Sequence, residues 1–235
     1  MTTVFDFLAR GGPVMVPILG ASVLTIACGF ERAWFWTRLL RREGQIVSQV
    51  LETARQDLGA AAAIAQRSQD LPIGRFLLAP LRLKHPSPET FRLAMEAAGD
   101  REFVKMRKGD KLLETVVAVA PLLGLLGTVT GLIATFGSLD IGGGGSTEQA
   151  SAAAAGIGEA LITTAAGMVV AILALLIFRL LVSLQAQQID YFSDAGNELE
   201  LIYRQYWYEP AILAADNALP GSTNRPPKIL SGDRH

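Results

Sequence analysis

Residues 121–136 read PLLGLLGTVTGLIATF and residues 156–172 read GIGEALITTAAGMVVAI. Both stretches are apolar and rich in glycine, alanine and threonine. A helix needs roughly 20 apolar residues to cross the hydrocarbon of a bilayer. The first stretch lies inside 25 residues without a charge, 115–139, and the second leads into the uncharged run between Glu159 and Arg179. A third segment qualifies near the N-terminus, where residues 11–30 carry no charge and 14–30 are mostly apolar. Three spans make this an all-α membrane protein. The basic cluster follows the first apolar segment instead of preceding it, the reverse of a cleavable signal peptide, so that segment reads as a retained span.

Composition agrees. Of 235 residues, half are hydrophobic and 18% are charged, against about 25% charged in an ordinary globular protein. The mean hydropathy is +0.33. A net charge of −1 argues against nucleic acid as a partner. The single cysteine, Cys28, excludes an intrachain disulfide and reads as a small apolar filler of the first span. Two histidines, His85 and His235, leave little from which to build a metal site, and no cofactor motif occurs. The run GGGGST at 142–147 lacks the lysine of a phosphate-binding loop and reads as a flexible linker. No span contains histidine, which excludes a serine–histidine pair or a zinc-protease motif there. The chain therefore reads as no enzyme, and an ion gradient is a more evident energy source than ATP.

Basic residues orient the spans. The first thirteen residues carry one, Arg10; residues 32–111 carry fifteen; the loop 140–152 has none; five follow Phe178. The positive-inside rule places the N-terminus outside, the long middle segment in the cytoplasm, the glycine-rich loop outside and the C-terminus inside. The expected organisation is a short outer segment (1–13), a first span (14–34), a cytoplasmic helical region (35–112), a second span (113–139), an outer loop (140–152), a third span (153–180), a cytoplasmic helix (181–209) and a flexible tail (210–235). The bilayer is expected to be a bacterial inner membrane.

The cytoplasmic part has the Ala, Leu, Gln, Glu and Arg content of helices, clearest at 48–67. Ser87-Pro88-Glu89 reads as a helix start, with a hydroxyl cap, a first-turn proline and an acid near the positive end of the dipole. Phe91, Ala94, Met95 and Ala98 then form an apolar face. Nothing in the sequence breaks that helix before Pro121, so the second span is expected to continue it into the cytoplasm. The third span runs on in the same way, with Ala195, Leu199, Ile202 and Tyr206 as a packing seam and Pro210 as its stop.

Helices in lipid associate through close backbone approach and polar contacts, since apolar burial gains nothing there. Pro121, Gly124, Thr128, Gly131 and Thr135 recur at steps of three or four, and Gly127-x-x-x-Gly131 is a small-residue packing motif. A plain helix–helix contact explains this stripe as readily as a pore lining does. Pro121 can kink the span and free a carbonyl. The third span adds Glu159, Thr163 and Thr164. An acid in or near the membrane suggests function; a solvated glutamate at the outer interface is the equal alternative. A threonine in a span often bonds its own backbone, and threonines facing one another from two spans can instead relay protons, because a hydroxyl both donates and accepts.

The paired stretches at 121–136 and 156–172, with ERAWFWTRLLRR at 31–42 after the first span, resemble the core helices of the MotA/TolQ/ExbB proton-channel family, and within it ExbB most closely. The resemblance covers almost the whole chain. It implies a homo-oligomer, a pentamer, whose second and third helices line a pore. That pore would hold ExbD-like single-span subunits carrying an ion-binding aspartate, and the work would pass to a TonB-like protein serving outer-membrane transport. It carries the threonine of the LGTV motif onto Thr128, and the glutamate and threonine of the EALxxT motif onto Glu159 and Thr164. The tryptophan common after LGTV is Thr130 here, and the outer N-terminal segment is short. A MotA-like stator subunit would carry a fourth span and a longer chain, so MotA itself fits less well. A TolQ-like subunit for envelope maintenance and a non-conducting membrane scaffold are the alternative readings. The surrounding lipid is a partner on any of them.

Overall fold

In the computed structural model the described residues are 12–138 and 147–218. Residues up to 11, 139–146 and from 219 onward, where the sequence suggests an outer segment, a linker and a flexible tail, lie outside them. Among the described residues every regular element is helical. They are α1 (Met15–Ala54), α2 (Leu58–Arg67), α3 (Pro72–Leu81), α4 (Pro88–Met106), α5 (Asp110–Ser138) and α6 (Thr147–Tyr203), then a π-helical turn (Arg204–Tyr208) and α7 (Glu209–Ala218). Three helical segments are long and apolar enough to cross a membrane, and their apolar parts lie in α1, α5 and α6. This is a multi-pass, all-α membrane protein.

The chain divides into two compact units. One comprises residues up to 38 and 103–188, and the other 39–102 with the segment from 189 onward. In the first, α1, α5 and α6 leave broad apolar faces exposed: Phe30, Ile133 and Leu176 are 75%, 67% and 62% exposed. In a water-soluble domain such faces would be unsustainable, and in lipid they cost nothing.

The second unit has an ordinary packed core. Phe76 meets Phe192 at 4.9 Å, and Phe91 stacks flat on Tyr203 at 4.3 Å and 6°. Ser87 caps α4 as its sequence indicates, accepting from the Thr90 amide at 3.2 Å. Phe91, Met95 and Ala98 are buried on the expected face. Asp57 caps α2 by accepting from the amides of Gly59 and Ala60 at 2.7 and 3.0 Å, so the helical stretch at 48–67 is two helices, with a turn where the acid competes for backbone donors. Glu102 is buried and meets the Arg75 guanidinium through both carboxylate oxygens.

Three expectations need correction. The helix that begins at Pro88 does not run into the second span: it ends at Met106, and α5 restarts at Asp110. Gly109 makes the break with φ +93°, a conformation that glycine adopts without steric cost. Pro121, by contrast, lies inside α5 without ending it. Pro210 does not stop the last long helix either. It sits in the first turn of α7, where a missing N–H is tolerated, so the first residues of the expected tail are helical. The widened turn before it carries the Glu209 amide back to the Arg204 carbonyl. That turn also explains the third correction. It shifts the helical register beyond Tyr203, so Tyr206 is 49% exposed, while Tyr203, four residues after Leu199, is 5% exposed and completes the seam beside Ile202.

Candidate functional site

Within the first unit, α5 and α6 are pressed together along their small residues. The contacts run in opposite directions along the two helices. A Cβ on Gly131 would lie 2.9 Å from the Ala160 Cβ, and one on Gly124 would lie 3.0 Å from the Thr164 Cα. A side chain on Gly127 would strike Thr163, and one on Gly156 would strike Thr135. A Cβ on Gly167 would come within 2.5 Å of the Ala120 carbonyl oxygen. The stripe at 124–135 therefore packs against a matching stripe on the next helix of the same chain.

The threonines divide by what their hydroxyls do. Thr135 and Thr163 are 4% and 1% exposed, and each donates to its own helix, to the Gly131 carbonyl and the Ala160 carbonyl, both at 2.8 Å. Both side chains fill the space that glycines leave open. Thr128 is half-buried and donates to the Leu125 carbonyl at 2.6 Å, again within its helix. Thr164 differs. Its hydroxyl crosses to α5 and donates to the Gly124 carbonyl at 2.8 Å. The structure does not join Thr128 and Thr164 to one another: they donate to different carbonyls.

Glu159 lies apart from that pair. Its carboxylate rests against Gly12, whose φ is +62°, and with Thr130 and Thr135 it lines a cleft of about 770 Å³. The remaining lining is small or apolar, including Pro13, Ala134, Gly158 and Ile162. Among the described residues no group of three or more His, Cys, Asp or Glu side chains gathers as a metal site would require.

Two features escape a reading of sequence. Gly156, Ala160, Thr163 and Gly167 form the complementary stripe, and their steps of four, three and four are the signal that would find them. The second is a polar joint at the break between α4 and α5. Arg32, 5% exposed, donates to the Met106 carbonyl at 3.3 Å, and Gln185 donates to that carbonyl at 3.5 Å and to both Asp110 carboxylate oxygens at 3.0 Å. A helix end leaves carbonyls without intrahelical partners and carries partial negative charge, so a buried guanidinium and an amide suit it.

Comparison with known proteins places this arrangement. The sequence profile of the MotA/TolQ/ExbB proton channel family matches residues 68–194. A Synechocystis protein named for biopolymer transport, ExbB-like 1, is 65% identical over 205 residues, covering 87% of this chain and 81% of that protein. The biopolymer transport protein ExbB of Salmonella typhimurium is 31% identical over 71% of this chain and 70% of its own length. The Tol-Pal system protein TolQ of Haemophilus influenzae is 34% identical over 53% of this chain and 57% of its own.

Proposed function

This chain belongs to the MotA/TolQ/ExbB proton channel family, on its ExbB side, and from that premise we propose that it is the ion-driven subunit of an inner-membrane motor. It assembles as a homo-oligomer, a pentamer, around a single-span ExbD-like partner whose aspartate carries the ion. That ion is a proton. The released energy passes to a TonB-like protein that works on outer-membrane transporters. One elementary charge crossing 100 mV releases about 2.3 kcal/mol, so a few protons suffice for a modest conformational step.

The observation that carries this reading is the Thr164 hydroxyl bonded to the Gly124 carbonyl. Its one proton is committed to that carbonyl, which leaves oxygen lone pairs to accept from a protonated carboxyl. Thr128, with its proton committed to Leu125, is prepared in the same way. A carboxylic acid entering the pore would be oriented by donating a hydrogen bond to either hydroxyl oxygen, and its proton would leave on water that reaches the carboxyl there. Thr135 and Thr163 serve packing, as do Gly124, Gly127 and Gly131. Pro121 belongs to the same face of α5. Glu159 stands at the mouth of the pathway and tunes its charge.

Labelling tests the topology on which this depends. With Cys28 replaced by serine, cysteines introduced at Ser68 and Ser146 are expected to show opposite accessibility to an impermeant thiol reagent in intact cells. Equal labelling contradicts the arrangement. The TolQ match favours a second reading, a subunit for envelope maintenance. Loss of growth under iron limitation in a deletion strain supports the ExbB role, and a division or envelope defect supports the other.

A further inference from the structure

A groove of about 550 Å³ lies within the second unit, between the loop that follows α3 and the segment from Tyr203 to Ala215. We propose that it binds a long-chain carboxylate, with the chain on the apolar floor and the head group against Lys84 and His85. The groove takes no part in the ion path, so its ligand can be tested apart from the motor.

Two local distortions meet at this groove. His85 has φ +49°, uncommon for a residue with a side chain and more so before a proline, which restricts its predecessor to extended backbone. Strain of this kind persists where the surroundings over-determine it, and it gathers at ligand sites. Here the Tyr203 hydroxyl holds the adjoining Pro86 carbonyl at 2.6 Å. The second distortion is the π-helical turn at Arg204–Tyr208. At about 3.6 residues per turn Tyr208 would point well away from Tyr203. Closure over five residues brings it round, with ring centroids 6.3 Å apart, so that Trp207 and Tyr208 both line the groove.

The floor offers a ligand mainly apolar surface. The Trp207 Nε1 already donates to the Ala54 carbonyl at 2.8 Å, as Tyr203 does to Pro86. Gly59, Ala211 and Ala215 leave room above it, and Leu83 and Ile212 are 40% and 49% exposed. No acid occurs among the described lining residues, whose basic members are the adjacent Lys84 and His85, both exposed. Lys84 brings a full charge, and His85 an N–H that donates in either protonation state. An apolar cavity of about 300–1,000 Å³ with a few convergent polar groups is the usual form of a site for a small organic ligand. A basic rim on an apolar floor selects an amphiphile with one negative head. Few polar atoms remain to fix a rigid ring, which suits a flexible chain, and a cationic amphiphile would be repelled by Lys84.

The test uses the full chain in native membrane vesicles at mildly alkaline pH, where the carboxylate is ionised. A dodecanoate with a terminal diazirine is the photoprobe, and peptide mass spectrometry locates its adducts. Adducts are expected on the segment from Tyr203 to Ala215 as well as on the lipid-facing helices. Excess dodecanoate should suppress the groove adducts about fivefold more than an equal membrane loading of dodecanol, the scale of an exposed ion pair. Lys84→Gln should lower them by about the same factor, and Lys84→Arg should not. Ala211→Trp and Ala215→Trp fill the groove from exposed positions on α7 and should each cut its adducts about tenfold, with the unfolding midpoint unchanged. Lys84→Gln carries the test should a tryptophan variant unfold. Adducts confined to the apolar faces of α1, α5 and α6, equal suppression by dodecanol, or full groove labelling in both tryptophan variants would overturn the proposal. So would groove adducts that appear only once the oligomer is dissociated in detergent, since another subunit would then be the occupant.

Discussion

The Thr164 hydroxyl donates to the Gly124 carbonyl oxygen at 2.8 Å, at a point where a Cβ on Gly124 would lie 3.0 Å from the Thr164 Cα. The bond exists because the glycine lets the two backbones approach. Thr164→Val keeps the side-chain shape and removes the bond. Interhelical bonds in membranes average about 0.6 kcal/mol and reach about 1.7. A loss in that range is expected in denaturant unfolding of the detergent-solubilised protein, with Thr164→Ser restoring most of it.

The α5–α6 seam gives a sharper contrast. Gly127→Leu would drive a side chain into Thr163, and Gly131→Leu would meet the Ala160 Cβ at 2.9 Å. Overpacking of this kind typically costs about 1–3 kcal/mol. Both variants should lower the midpoint of thermal unfolding, and a tolerated Gly127→Leu would show that the helices separate at that level. Gly158→Ala, facing open space, should leave the midpoint unchanged.

The joint between α4 and α5 depends on Gly109 and Arg32. Gly109→Ala forces an L-residue to φ +93° and places a methyl 2.9 Å from the Cys28 sulfur. A left-handed conformation alone costs about 1–2 kcal/mol. Arg32→Leu removes a buried donor from the Met106 carbonyl, a loss of about 1–3 kcal/mol. Hydrogen–deuterium exchange at residues 107–112 should quicken in both variants; unchanged exchange would mean that the break is held by something else.

The three spans are legible in the sequence because uncharged apolar runs of this length match the thickness of a bilayer. Ser87, Phe91 and Met95 announce α4 through a cap and a periodic face. Break positions are harder to read. Arg107, Lys108 and Gly109 sit in a charged, helix-compatible run, and only the partners of the Met106 carbonyl, Arg32 and Gln185, reveal the end of α4. Both partners are distant in sequence. Pro210 misleads for a related reason: proline stops a helix in its interior but opens one in its first turn, and the π-helical turn before it has no sequence period of its own. For the site, both stripes carry readable steps of three and four, while their pairing is not readable, since such steps cannot say which helix they face. Thr135 and Thr163 look equivalent to Thr164 for the same reason, and only the acceptor of each hydroxyl separates them.

Tyr203 links the second unit to alkaline pH. Burial, with Tyr208 beside it, pushes its hydroxyl above the usual tyrosine value, and it donates to the Pro86 carbonyl at 2.6 Å. The folded form therefore holds this proton more tightly than the unfolded form. Its contribution is complete below pH about 10 and is lost as pH rises through the folded value. Urea midpoints measured from pH 8 to 12 should fall less steeply in Tyr203→Phe than in the parent. At neutral pH that variant should be weaker by about 1 kcal/mol. Parallel curves would contradict the assignment.

The most direct test of the proposed function is dye-detected proton flux in liposomes, using the complex purified through a tag on this chain and driven by an imposed potential. With Thr128 and Thr164 both replaced by valine, native mass should be unchanged and flux should fall about tenfold or more, approaching the scale of one general acid–base group. Undiminished flux in the intact double-valine complex would remove these hydroxyls from the ion path and contradict the central claim.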